Sequence, residues 1–286
     1  MKKIVAALLA LLMLVAFSPF MGSMRGRTHS SVSGSKYSRF GIYSAIINDP
    51  YLSLVAGNLD SDLIYAGSYA PDTWRRWPYY ADRGHNQTYV EQQGAYWLAM
   101  AAVAKQDNAW DSVSYFLGIA SHYWVDAIDM PHNDNARKYF ESIYGSGEGY
   151  NAWNNLHNHF ETQMYYYSVL LSRDNLGNYD SNYTNLENYI ENIAMPILDE
   201  FIFKTKGPGL DNKDGWFFEW ADGSSSVHNT LDYGPVHIEV RFPRDCQTVK
   251  SSVDLAAALL YNAWIRVLDD VPDHVDAIKD KYKPIS

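Results

Sequence analysis

The chain has 286 residues, 47% of them hydrophobic, so a sizeable core can be buried. A formal net charge of −10 argues against a broad basic face for nucleic acid, and the single cysteine, Cys246, excludes an intrachain disulfide and any thiolate-rich zinc finger. A metal held by this chain must be held by His, Asp and Glu, and its nine histidines are the first hint of one.

At the start, Met1-Lys2-Lys3 and the apolar run Ile4 to Phe17 have the charged head and short core of a secretory signal. Residues 1–23 are therefore expected to be a signal peptide, with Gly22 or Ser23 near the cut, and the mature protein to be secreted or extracytoplasmic. An uncleaved anchor helix is the other reading of this segment. Residues 24–286 contain no internal repeat and no obvious linker, so a single domain is expected there.

Further along, apolar residues recur three and four apart in Tyr89 to Lys105, Trp110 to Ile128, Asn151 to Leu171, Leu186 to Phe203 and Val253 to Leu268, which predicts five helices. Only a short tail is expected after the last of them. The best alternating stretch, Val236 to Phe242, predicts one strand of a small hairpin, so the expected class is all-α with one β-hairpin. The stretches 145–149, 174–185 and 207–245 are rich in turn residues and read as loops. Trp74, Trp77, Tyr79 and Tyr80 make a ring-rich loop that could line a cleft, touch a lipid interface or cover the helices. Arg75 and Arg76 beside them could contact phosphate, although exposed loop arginines are the commoner case.

Two of the predicted helices carry the same device. His122 and Asp126 are four apart in one helix, and His157 and Glu161 are four apart in another, so each pair projects from one face and can reach one ion. Pro131 ends the first helix and delivers His132 where the chain can turn back beside the site. Five such ligands suit more than one zinc, because a catalytic zinc takes about three protein ligands and keeps a position for water. His159 lies far round the helix from His157, and His228, His237 and His274 have no partner at helical spacing, so these four are expected outside the site. Asp129 and Asp134 are expected to be outer carboxylates that orient a ligand histidine, or solvated ones.

The run His122-Tyr123-Trp124-Val125-Asp126-Ala127-Ile128-Asp129-Met130-Pro131-His132-Asn133-Asp134-Asn135 closely resembles the signature segment of the bacterial zinc-dependent phospholipases C. The spacing and the Tyr, Pro and Asn match, and Val125 stands where the family usually has Gly or Thr. The later His157 and Glu161 pair also looks like that family's. The resemblance implies an all-α fold with zinc ions in one helical cleft, and no cofactor beyond metal. It places Asp72, in Tyr65-Ala66-Gly67-Ser68-Tyr69-Ala70-Pro71-Asp72, as the general base or water-orienting residue. His85, in Arg83-Gly84-His85-Asn86, falls at the family's upstream zinc ligand, and Thr28-His29 resembles the segment that serves the third zinc.

The implied sets are His85, His122 and Asp126 on one zinc and His132, His157 and Glu161 on a second, with Asp126 bridging to a third beside His29. The family completes that third site with an N-terminal Trp, whereas the first Trp here is Trp74, so two to three ions are expected. The implied activity is an exported zinc-dependent phosphodiesterase, a phospholipase C that hydrolyses phospholipid to diacylglycerol and a phosphorylated head group with metal-activated water. Its partner would be a phospholipid or other phosphodiester, met through transient contact with a membrane surface, with no stable nucleic-acid partner. The alternatives are a single-strand-specific zinc nuclease or nucleotidase of the same fold, and a non-catalytic metal-stabilised surface protein. Glu161, where those nucleases usually have Asp, and the His132-x2-Asn135 ending favour the phospholipase.

Overall fold

The computed structural model describes residues 32–33, 41–49, 52–73, 90–129, 132, 134–168, 185–199, 228–233, 236–241, 247–269 and 275–283. In chain order these form α1 (Ile42–Ile47), α2 (Ser53–Ala56), α3 (Ser61–Thr73), α4 (Val90–Gln106), α5 (Trp110–Ile128), α6 (Asp134–Tyr144), α7 (Ser146–Ser168) and α8 (Leu186–Tyr189). A π-helical stretch Ile190–Ala194 continues α8 and returns to α-helix over 195–199. The hairpin strands β1 (His228–Tyr233) and β2 (Val236–Arg241) follow, then α9 (Gln247–Asp269) and α10 (Val275–Lys281).

The fold is all-α, as the periodicity predicts, and the helix α5 lies at its centre. From Leu117 to Ile128 every side chain of α5 is buried, the pattern of a helix enclosed on all sides rather than amphipathic. Both α3 and α4 pack along it, while α9 touches α4, α5 and α7, and α10 closes against α4. Trp124 and Trp264 are fully buried in this core, and the Trp124 indole N–H donates to the Glu91 carbonyl at 3.0 Å.

Two glycines bring α3 and α5 together. A Cβ on Gly67 would stand 2.1 Å from the Tyr115 carbonyl oxygen, and one on Gly118 would stand 2.2 Å from that of Ile64. Any side chain at either position would push the helices apart. Asp60 opens α3 by accepting from the Asp62 and Leu63 N–H groups at 2.7 and 3.3 Å, the usual service of an N-cap carboxylate. Pro71 sits in the last turn of α3, where the ring interrupts only the end of the hydrogen-bond ladder.

Several expectations are corrected. The helices α1, α2, α3 and α6 are ones that the periodicity did not predict. The residues 146–149, read as loop, are the first turn of α7, because the joint with α6 is the single residue Gly145 at φ +82°. The expected tail contains α10. The predicted strand is β2, paired antiparallel with β1 in the register His228 with Arg241 through Tyr233 with Val236. Among the described residues no helix is long and apolar enough to cross a membrane. The expected signal segment lies outside them.

Candidate metal centre

The C-terminal half of α5 supplies the first donors. His122 and Asp126 are one turn apart and buried, with Nε2 of the ring 3.2 Å from Oδ2 of the carboxylate. The other ring nitrogen, Nδ1, is 2.8 Å from the Ser68 carbonyl on α3. A carbonyl only accepts, so Nδ1 carries a proton, and Nε2, turned toward Asp126, is the nitrogen that takes up a second proton or a metal ion. The close approach at Gly67 and Gly118 is what places Ser68 behind this ring. Asp72 lies one turn beyond Ser68 on α3, and its charge raises the same imidazole. The Asp72 Oδ2 atom is buried and accepts no hydrogen bond among the described residues.

Where α5 ends, Asp129 leaves the helix in an extended conformation at φ −80° and ψ 99°. The His132 N–H then donates to the Asp129 carbonyl at 3.0 Å, a turn that folds the imidazole back over the helix end. From the opposite side α7 presents His157 and Glu161 on one stripe, and Trp153, a turn earlier, stacks on the His157 ring at 5.5 Å between centroids and 9° between planes. The His132 and His157 rings meet edge-on with centroids 4.5 Å apart.

Ligand-type atoms of Asp129, His132, His157 and Glu161 all lie within 4.8 Å of one another. The His157 Nε2 atom is 2.9 Å from Glu161 Oε1 and 3.5 Å from Asp129 Oδ2. The His132 Nε2 atom is 3.3 Å from Asp129 Oδ2 and 3.8 Å from Glu161 Oε1. Four ligands at about 2.0 Å from a tetrahedral zinc stand about 3.3 Å from one another, so the spacing fits such an ion with little adjustment. Asp126 joins the two groups of donors, since its Oδ2 faces His122 and its Oδ1 lies 3.7 Å from His132 Nδ1.

Electrostatics follow from this crowding. Burial alone would lower the His132 imidazole, but Asp126, Asp129 and Glu161 outweigh it and push it up to about 10. Burial works likewise against His157 and His122, and carboxylates again raise both: chiefly Glu161 and Asp129 for the first, Asp126 and then Asp72 for the second. Burial would raise Glu161, yet His157 and His132 hold it well below the usual carboxylate range. Asp129 goes the other way, raised mainly by burial. A divalent cation would take the place of the protons on these imidazoles, and the all-nitrogen and oxygen donor set suits zinc.

Five predicted residues, His122, Asp126, His132, His157 and Glu161, are thus brought together, with Asp72 beside His122. His29, His85, Trp74, Trp77, Tyr79, Tyr80, Arg75, Arg76 and His274 lie outside the described residues, as do the side chains of Asp134, His159, His228 and His237. Asp129 was expected behind a ligand histidine or in solvent. Instead its carboxylate enters the cluster on the side to which both Nε2 atoms point. The sequence did carry a signal for it, because His122, Asp126 and Asp129 follow one helical stripe at i, i+4 and i+7.

Searches of curated proteins and of solved structures return no match. A family model, zinc dependent phospholipase C, matches residues 43–214. That span covers more than half of the chain and contains all of the predicted site residues except His29. With a buried His, Asp and Glu cluster of zinc-ligand chemistry inside the matched span, the chain belongs to the zinc-dependent phospholipase C family.

Proposed function

We propose that the protein is an exported phospholipase C that hydrolyses phospholipid to diacylglycerol and a phosphorylated head group. The observation that carries the reading is the linkage of two donor groups through Asp126. His122 and Asp126 stand on one side, His132, His157 and Glu161 on the other, and the two oxygens of Asp126 face one group each. His85 would complete the first group. A third ion, sharing Asp126 with His29, would raise the number from two to three.

Zinc in such a cluster lowers the pKa of bound water and neutralises phosphoryl oxygens. The chain's own part is to fix the donors. The Ser68 carbonyl locks the His122 tautomer, and Trp153 holds the plane of His157. Asp72, half-buried one turn beyond Ser68 and with its Oδ2 atom enclosed, would accept a proton from an attacking water or orient it. The negative net charge disfavours a long polyanionic substrate, and any membrane contact would be transient.

Purified protein supplied with zinc should be offered phosphatidylcholine, other phospholipids and single-stranded DNA. Release of a phosphorylated head group supports the reading. Cleavage of DNA alone would replace it with the nuclease alternative, and zinc binding without hydrolysis of any of these would leave a metal-stabilised surface protein.

A further inference from the structure

We propose that Asp129 is itself a metal ligand, so that Asp129, His132, His157 and Glu161 form a closed site of four protein ligands; this rests on the zinc reading above. The structure contains its own comparison for what an orienting partner looks like. Behind His122 the Ser68 carbonyl takes Nδ1, and the donor atom Nε2 faces away from it. On His132 the Nδ1 side has Asp126 Oδ1 at 3.7 Å, beyond hydrogen-bond reach.

Asp129 does not stand in that position for either ring. Its Oδ2 atom lies 3.3 Å from Nε2 of His132 and 3.5 Å from Nε2 of His157. Glu161 Oε1 faces those same two nitrogens. The two carboxylates therefore share one side of both imidazoles, and an ion reached by Glu161 and both rings is also within reach of Asp129. The four separations, 2.9, 3.3, 3.5 and 3.8 Å, scatter about the roughly 3.3 Å edge of a tetrahedral zinc site.

The consequence is a division of labour. A site with four protein ligands keeps no position for water, and two carboxylates with two neutral imidazoles cancel the ion's charge. That site would brace the ends of α5 and α7 and contribute little to activating water. The open position then belongs to the group at His122 and Asp126.

Cobalt is the probe, because its visible absorption reports coordination and changes when a bound water titrates near neutral pH or is replaced by phosphate. His122→Ala is loaded with cobalt so that the His132 group alone is filled. The expected spectrum is that of a four-coordinate ion, unchanged between about pH 6 and about pH 9 and unchanged by inorganic phosphate. Adding Asp129→Ala should open a position and make the spectrum respond to both. If His122→Ala does not fold, wild type with one equivalent of cobalt replaces it, since the closed site should fill first.

A phosphate- or pH-dependent spectrum in the protein that retains Asp129 would overturn the closed site while leaving the zinc reading intact. A wild-type chain that takes up neither cobalt nor zinc would remove both.

Discussion

At the scale of single residues, the cluster balances burial against charge, and pH is the means to test that balance. Without metal, His132 is raised from 6.5 to about 10. It therefore contributes stability that is fully present below about pH 6.5 and is lost as pH rises through about 10. Glu161, held below its ordinary 4.5, contributes above about pH 4.5 and loses that contribution as pH falls into its depressed range. Urea unfolding of the zinc-free protein should thus show its cluster-dependent stability falling between about pH 6.5 and 10, by on the order of a few kcal/mol, with the fall much reduced in His132→Asn. Zinc displaces these protons, so its affinity should fall as pH is lowered, which competition with a chromophoric chelator would measure. Glu161→Gln should remove about one zinc per chain, by metal analysis, and lower Tm in the presence of zinc. The pairs His122 with Asp126 and His157 with Glu161 were legible because helical spacing alone puts each on one face. Asp129 shares the stripe of His122 and Asp126, but the extended cap and the turn that bring it to the His132 imidazole are tertiary details that the stripe alone does not reveal.

Among the elements, the contact of α3 with α5 sets the site. It depends on Gly67 and Gly118, where an added Cβ would meet backbone at 2.1 and 2.2 Å. Gly118→Ala should destabilise the protein by about 1–3 kcal/mol in chemical denaturation. Because it moves Ser68 away from His122, it should also weaken zinc binding at that group more than at the His132 group. An unchanged stability would show that the two helices adjust without strain. The long helices α4, α5, α7 and α9 could be read from apolar periodicity, with boundaries that shifted by a few residues. Short α1, α2 and α6 were not, since four to eleven residues give too few turns to reveal a period. α3 was hidden by Pro71, which reads as a helix stop although here it falls in the final turn.

For the molecule as a whole, the cluster ties the end of α5 to α7, and metal should strengthen that tie. Removing zinc with a chelator should lower Tm, and restoring it at about 100 times Kd should return about 2.7 kcal/mol, roughly 5–10 °C for a chain of this size. Differential scanning calorimetry measures this directly. The all-α class and the family followed from the helical patterning and from one signature segment, whereas the substrate depends on a cleft that no short motif specifies. The most direct test of the central claim is the release of phosphorylated head group from phospholipid vesicles by the purified protein, followed with zinc, after chelation and after zinc is restored. Release should stop on chelation, return with zinc and be nearly abolished in His122→Ala; equal release by the chelated protein or by His122→Ala would rule out zinc-dependent hydrolysis at this cluster.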